Sequence, residues 1–440
     1  MYIVSKNIKN LSLVLVLFGL LGIGYGFYSS PKTIEESKEM IAKSGHDSHS
    51  GDHDSHDEKN YSSYDENGHV MSHDEHVFHQ LANRPWAAVY VAAFFFFMIS
   101  LGTLAFYAIQ RVSQAGWSPL LFRVMEGITG YLLPGGIFVI IILILSVMHF
   151  NHLFIWMDPD IVEHDKIIKA KSGYLDSGFF LIRAVIYLSG WVIYRYVSRK
   201  LSIAQDSAED NKNHIKNFKL SAAFLVFFLV TESMMSWDWI MSIDPHWFST
   251  LFGWYVFASM VVSAVTTIAL ISIYLKSNGY ITNVNSNHLH DLAKFMFGFS
   301  VFWAYLWFSQ FMLIWYSNIP EEVVYFISRI EDYSITFWGM VVLNLIFPFL
   351  ILISSNFKRS NWILVMAGII ILIGHYIDVF NMIMPSAVGD QWFIGVPEIG
   401  SIMFFGGIFI YVVFSSLTKA PLEASGDPFN TESKKFVYPH

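Results

Sequence analysis

Ten stretches of this chain are long and apolar enough to cross a bilayer, and that count constrains everything else about it. A helix needs roughly 20 mostly apolar residues to traverse the hydrocarbon core. The stretches lie near residues 11–28, 86–110, 124–148, 176–197, 220–243, 251–275, 294–315, 333–355, 361–384 and 399–417. Short connectors rich in turn formers separate most of them, such as Ser277-Asn278-Gly279 and Ser354-Ser355-Asn356. Two-residue alternation is missing, which argues against a transmembrane β-barrel. Only 14% of the 440 residues are charged and 54% are hydrophobic; a soluble domain carries about 25% charged residues. The expected class is an all-α integral membrane protein of about ten transmembrane helices.

Lysine and arginine in the loops set the orientation. With the N-terminus inside, the inner loops hold Lys6, Lys9, Arg111, Arg123, the run from Arg195 to Lys219, Lys276, Lys294, Lys358, Arg359, Lys419, Lys434 and Lys435. That is 17 of the 27 basic residues. Both termini are therefore expected in the cytoplasm, in a bacterial inner membrane. The first stretch also has the look of a signal peptide, since Lys6 and Lys9 precede a short apolar run, but no Ala-x-Ala site follows it. Residues 1–28 are read as a retained anchor.

Residues 29–83 form an acidic, histidine-rich outer loop. Within it, His46, His49, His53, His56, His69, His73, His76 and His79 alternate with Asp and Glu. Imidazole and carboxylate suit zinc, copper or nickel, yet composition alone fixes no coordination geometry, and a solvated linker is the simpler reading. No dedicated metal site is expected. The loop also supplies most of the net charge of −8, and no basic patch suggests nucleic acid.

The chain has no cysteine, so it can neither ligate an iron–sulfur cluster nor attach a c-type haem through thioethers. A haem pair needs facing histidines, and only His375 lies well inside a span, with His149 and His152 at an edge. Electrons cannot travel far through such a chain.

Ionisable residues inside a membrane are expensive and ask for a reason. They cluster here on the fourth, fifth and ninth stretches: Asp176 and Arg183, Glu232 and Asp238, His375 and Asp378. Asp176 and Arg183 share a helix face one heptad apart, which offers Arg183 a counter-ion. His375 and Asp378 share a face at i,i+3, and Ser236 shares one with Glu232. Glu126 and His152, near interfaces, read as structural polar groups. Asp238 and Asp378 each precede a proline by seven residues, Pro245 and Pro385, both expected to close an outer helix end, with Trp247 and Trp392 following. The recurrence suggests two related halves, spans 2–5 and 6–9.

Three motifs go further: Trp237-Asp238-Trp239-Ile240-Met241-Ser242-Ile243-Asp244-Pro245-His246-Trp247-Phe248, continuing to Tyr255; Phe179-Phe180-Leu181-Ile182-Arg183-Ala184-Val185-Ile186-Tyr187; and His375-Tyr376-Ile377-Asp378-Val379-Phe380. Together they resemble the NrfD/polysulfide-reductase membrane-subunit family, in particular the large membrane subunits of alternative complex III. The resemblance spans roughly residues 84–418, and the extra N-terminal helix and His-rich loop fit the ActF type.

The resemblance implies two four-helix bundles, residues 84–250 and 251–397, with a last helix and cytoplasmic tail over 398–440. It implies a membrane subunit of a quinol-oxidising respiratory complex, not active alone. Its partners would be lipids, a homologous NrfD-like membrane subunit, an iron–sulfur subunit and c-type haem subunits, which hold the redox groups. By position, His149, Asp176 and Arg183 match the region where family members place quinone or quinol. Glu232, Asp238, His375 and Asp378 would be proton-relay groups, because each can change protonation. Two other readings compete: a purely structural subunit, and a secondary transporter of metal ions. Transporters often break helices at mid-membrane, whereas here only Pro134 and Pro348 are interior.

Overall fold

The computed structural model describes residues 2–44 and 73–437. His46, His49, His53, His56 and His69 of the histidine-rich loop lie outside the described residues. Among the described residues, ten helices are long and apolar enough to cross a membrane, the pattern of a multi-pass membrane protein: α1 Lys6–Ser29, α2 Val77–Val112, α3 Pro119–Val147, α4 Ser177–Gln205, α5 Lys212–Ile243, α6 Phe252–Ser277, α7 Ser286–Ser317, α8 Ser334–Leu352, α9 Asn361–Val388 and α10 Val396–Leu417. They agree with the ten stretches read from the sequence. No strand occurs among the described residues.

Burial sorts these helices. The apolar windows of α2 and α6 are 89% buried, while that of α1 is 22% buried, so α2 and α6 are central and α1 is peripheral. α2 packs on α3 and α5, α3 on α4, and α4 on α5; α6 packs on α7 and α9, α7 on α8, and α8 on α9. Contacts of α2 with α6 and α9, and of α5 with α6, join the two groups, and α1 packs along α10. That last pair needs glycine: a Cβ on Gly22 would sit 2.8 Å from Gly400 Cα, the close backbone approach by which helices associate in lipid.

Both ends of the central helix α2 carry an arginine paired with the C-terminal part of the chain. Arg84 Nε and Nη2 donate to Glu398 of α10 at 2.9 and 3.0 Å. Arg111 Nη1 donates to Asp427 of the tail at 2.6 Å. We call the end with Arg111 and residues 418–437 the tail end. The opposite, loop end carries the short helices Pro159–His164, Lys166–Lys171 and Pro320–Glu331.

One expectation about helix ends changes. Pro385 does not close a helix: α9 continues through it to Val388, while Pro245 does lie beyond the end of α5. Pro348 sits just after a wide turn over Val342–Ile346 in α8. A proline cannot donate to the preceding turn, and one widened turn absorbs the missing bond.

Candidate functional site

Arg183 and Asp238 form a bidentate pair at the loop end of α4 and α5. Arg183 Nε donates to Asp238 Oδ2 at 2.8 Å and Nη2 donates to Oδ1 at 3.0 Å. The Tyr187 hydroxyl adds a third bond to Oδ2 at 3.0 Å. Arg183 Nη1 donates to the Tyr174 carbonyl at 3.0 Å, and its guanidinium lies 4.0 and 4.3 Å from the Tyr174 and Phe179 ring centres. Asp238 is fully buried and Arg183 nearly so. The parallel two-bond geometry is the strong form of a carboxylate–guanidinium contact.

Asp176, expected to be the counter-ion of Arg183, instead caps α4: its exposed carboxylate accepts from Phe179 N at 2.8 Å. Asp is a preferred residue there because its oxygen satisfies a free N–H of the first turn. His149 is exposed too, in the turn after α3 with φ +59°. No described hydrogen bond or ion pair joins any two of His149, Asp176 and Arg183. No step through a quinone follows from their geometry.

A loop segment covers this pair. Asp165 caps the helix Lys166–Lys171 and sits 2.5 Å from His246 Nε2, while Lys171 Nζ donates to the Pro245 carbonyl at 2.5 Å. Burial pushes the Asp165 carboxyl up, but bonds from His246 and from the Ile168 and Ile167 amides more than offset this, and it lies below the usual carboxylate range. Tyr174, at the end of the segment, is thereby brought over Arg183.

From Arg183, one face of α4 carries polar and aromatic groups towards the tail end: Arg183, Tyr187, Trp191, Tyr194, Ser198 and Ser202, all buried. Steps of three and four residues keep them in line, and at ~1.5 Å per residue the stripe is about as long as the hydrocarbon core is thick. Each has a protein partner. Trp191 Nε1 donates to Thr231 Oγ1 at 3.0 Å, the Tyr194 hydroxyl lies 2.8 Å from Ser221 Oγ, and Ser198 Oγ donates to Asn217 Oδ1 at 2.7 Å.

At the tail end the stripe joins an ion network. Arg123 bonds Glu126 at 2.6 Å and Asp206 at 2.5 Å, and both Arg111 and Arg123 donate to Ser202 Oγ. Glu126 is thus the structural polar group expected. Burial pushes the Asp427 carboxyl up, but His214 and Arg111 beside it hold it below its ordinary value. Glu232, on α5, accepts from Ser236 Oγ at 3.2 Å, and no described cation pairs with it.

The second cluster lies between α6, α7 and α9. Asp378 accepts from the Tyr255 hydroxyl on one oxygen and from Trp303 Nε1 at 2.9 Å on the other. His375, fully buried on the same face of α9, has Nδ1 2.9 Å from Ser259 Oγ and 3.6 Å from Asp378 Oδ2. Its Nε2 has no partner among the described residues. Nor have Thr266 Oγ1, Ser300 Oγ, both side-chain polar atoms of Asn344, Asn381 Oδ1, Trp307 Nε1 and Arg329 Nη2. Asn344 sits in the wide turn of α8, against Gly374, where any side chain would strike its Oδ1.

Sequence reasoning missed Tyr187, Tyr255, Trp303 and Arg329. Tyr187 and Tyr255 end two of the quoted motifs, and their hydroxyls gave no signal among so many aromatic residues. Arg329 falls in a connector between two apolar stretches, where a charge is ordinarily solvated, yet it is 3% exposed. No group of three or more His, Cys, Asp or Glu able to hold a metal occurs among the described residues. No protein-family model matches the chain, and no curated protein sequence is detectably similar to it.

Proposed function

We propose that the chain is the membrane subunit of a quinol-oxidising respiratory complex and that it carries protons through α6–α9. In this reading α2–α5 and α6–α9 are two four-helix bundles. Iron–sulfur and c-type haem subunits beside it do the electron transfer, and a homologous membrane subunit is its neighbour. The three sequence motifs support the family. The observation that carries the proton route is the run of buried polar atoms without protein partners on α6–α9. Buried polar groups are almost always bonded to protein or to ordered water, and in lipid an unmet group is costlier still.

The relay groups are His375 and Asp378, each with capacity to gain and lose a proton. Glu232 joins them as a buried carboxyl with no described cation. Asp238 has a different role, because its two oxygens already hold a guanidinium and a phenol. That observation favours a scaffold role for α2–α5, and the two roles coexist in one chain.

The test begins with mild solubilisation and identification of what stays bound. Iron–sulfur and c-type haem subunits, with extractable quinone, are the expected companions; a chain that purifies without them overturns the assignment. In the reconstituted complex, Asp378→Asn should assemble and lose proton release or coupled turnover, since an amide cannot titrate. Wild-type proton and electron stoichiometry in that variant would remove Asp378 from the route.

A further inference from the structure

Arg329 is a buried guanidinium without a carboxylate partner among the described residues. It belongs to the short helix Pro320–Glu331, not to a membrane span. Its Nε donates to the Asn381 carbonyl at 3.0 Å and its Nη1 to the Tyr325 carbonyl at 2.7 Å. The Tyr325 ring stacks on the guanidinium, 3.3 Å from its centre to the ring centre. The third nitrogen, Nη2, has no partner among the described residues. An unmet charged donor of this kind is expensive.

A cavity of about 20 Å³ lies beside it, lined by Arg329, Tyr255, Trp307, Gln310, Asn381 and Phe337 among others. A single water needs on the order of 10–15 Å³ and two to four polar partners. The fully buried atoms on this wall without a partner among the described residues include two donors, Arg329 Nη2 and Trp307 Nε1, and one acceptor, Asn381 Oδ1. One water accepts two hydrogen bonds and donates two, so it satisfies all three and keeps one proton to give. An anion would satisfy the two donors and be repelled by the Asn381 oxygen, with the Asp378 carboxylate just beyond Tyr255.

We propose that this cavity is an ordered-water site bridging Arg329 to the Tyr255–Asp378 pair, and that Asp378 exchanges its proton with the loop end through it. The water donates its remaining proton to the Tyr255 oxygen while the Tyr255 hydroxyl proton passes to Asp378 Oδ1. Tyr255 ends neutral and Asp378 ends protonated; the water regains its proton when a solvent water from the loop end takes the place of the Trp307 Nε1 bond and donates to it. Arg329 holds the water and keeps its charge throughout. The bridge rests on the unmet atoms and the cavity; only its use in transport rests on the proton-route reading.

The test is a high-resolution map of the full chain, alone or in its complex, together with infrared spectroscopy. One density peak is expected within hydrogen-bonding reach of Arg329 Nη2, Trp307 Nε1 and Asn381 Oδ1. The carboxyl band of Asp378, assigned by its loss in Asp378→Asn, is followed after transfer to D2O at a pH where it is protonated. Asn381→Leu fills the cavity and should slow that exchange at least about tenfold, the kinetic equivalent of one lost hydrogen-bonded bridge. Where Asn381→Leu does not fold, the wild-type density decides. An empty cavity, a peak that strengthens when bromide replaces chloride, or exchange unchanged in Asn381→Leu would each overturn the proposal. A peak and slowed exchange beside normal proton release in Asp378→Asn would leave the water site standing and remove the proton route alone.

Discussion

Asp238 and Asp378 lie at the loop ends of two neighbouring helix groups, each beside a tyrosine from another helix, and each is fully buried. Their surroundings differ in one respect. Asp238 meets its arginine directly, with two bonds, on a stripe of α4 whose every polar member has a protein partner. Asp378 meets a tyrosine and an indole, and the nearby arginine faces a cavity lined with unmet atoms. Asp238 is tied to its neighbour by charge as well as by hydrogen bonds, whereas Asp378 is held by neutral donors alone. The same residue type at matching places is thus built into an ion pair in one half of the protein and into a neutral hydrogen-bond pair in the other.

Removing the clamp should give the largest effect. Arg183→Met leaves Asp238 buried and uncompensated, at a cost of about 3–5 kcal/mol. Thermal unfolding of the detergent-solubilised chain measures it, and a loss near zero would show that Asp238 is not held as described. The tyrosines sharpen the contrast. Tyr255→Phe removes one of the two neutral donors that hold Asp378, while Tyr187→Phe removes one of three donors to Asp238 and leaves Arg183 in place, so the first should cost more, each within about 0.5–3 kcal/mol. Equal costs for the two would break the comparison.

The smallest effect concerns the segment that covers Arg183. The Asp165 carboxyl is depressed in the folded chain, so its anchoring is fully present above the free aspartate value of about 3.9 and is lost as the pH falls through the lower folded value. Protease cleavage within residues 158–176 should therefore rise on acidification below about pH 4. Asp165→Asn should show raised cleavage at neutral pH and lose that acid step. Unchanged cleavage in the variant would mean that Tyr174 is held over Arg183 by other contacts.

The helices were legible because lipid demands long apolar runs, and all ten stretches became helices. Charge within a run was legible for the same reason, which is how Glu232, Asp238, His375 and Asp378 stood out. Partnership was not. Arg183 and Asp176 share a helix face, and local spacing paired them; Asp238, 55 residues away, wins because a buried guanidinium gains more from a buried carboxylate than from an exposed one. Arg329 was hidden for a related reason: a charge in a short connector looks solvated until the connector folds inward. The seven-residue step from Asp to Pro occurs twice but covers two geometries, a chain leaving its helix at Pro245 and a helix running on past Pro385.

The arginines of α2 bear on how the protein is made. Arg84 waits 314 residues for Glu398, and Arg111 waits 316 residues for Asp427. The most central helix is therefore synthesised well before the two carboxylates that pair with its ends. A polypeptide cut short before Asp427 would leave Arg111 with its bonds to Tyr107 and Ser202 but without that carboxylate at the tail end.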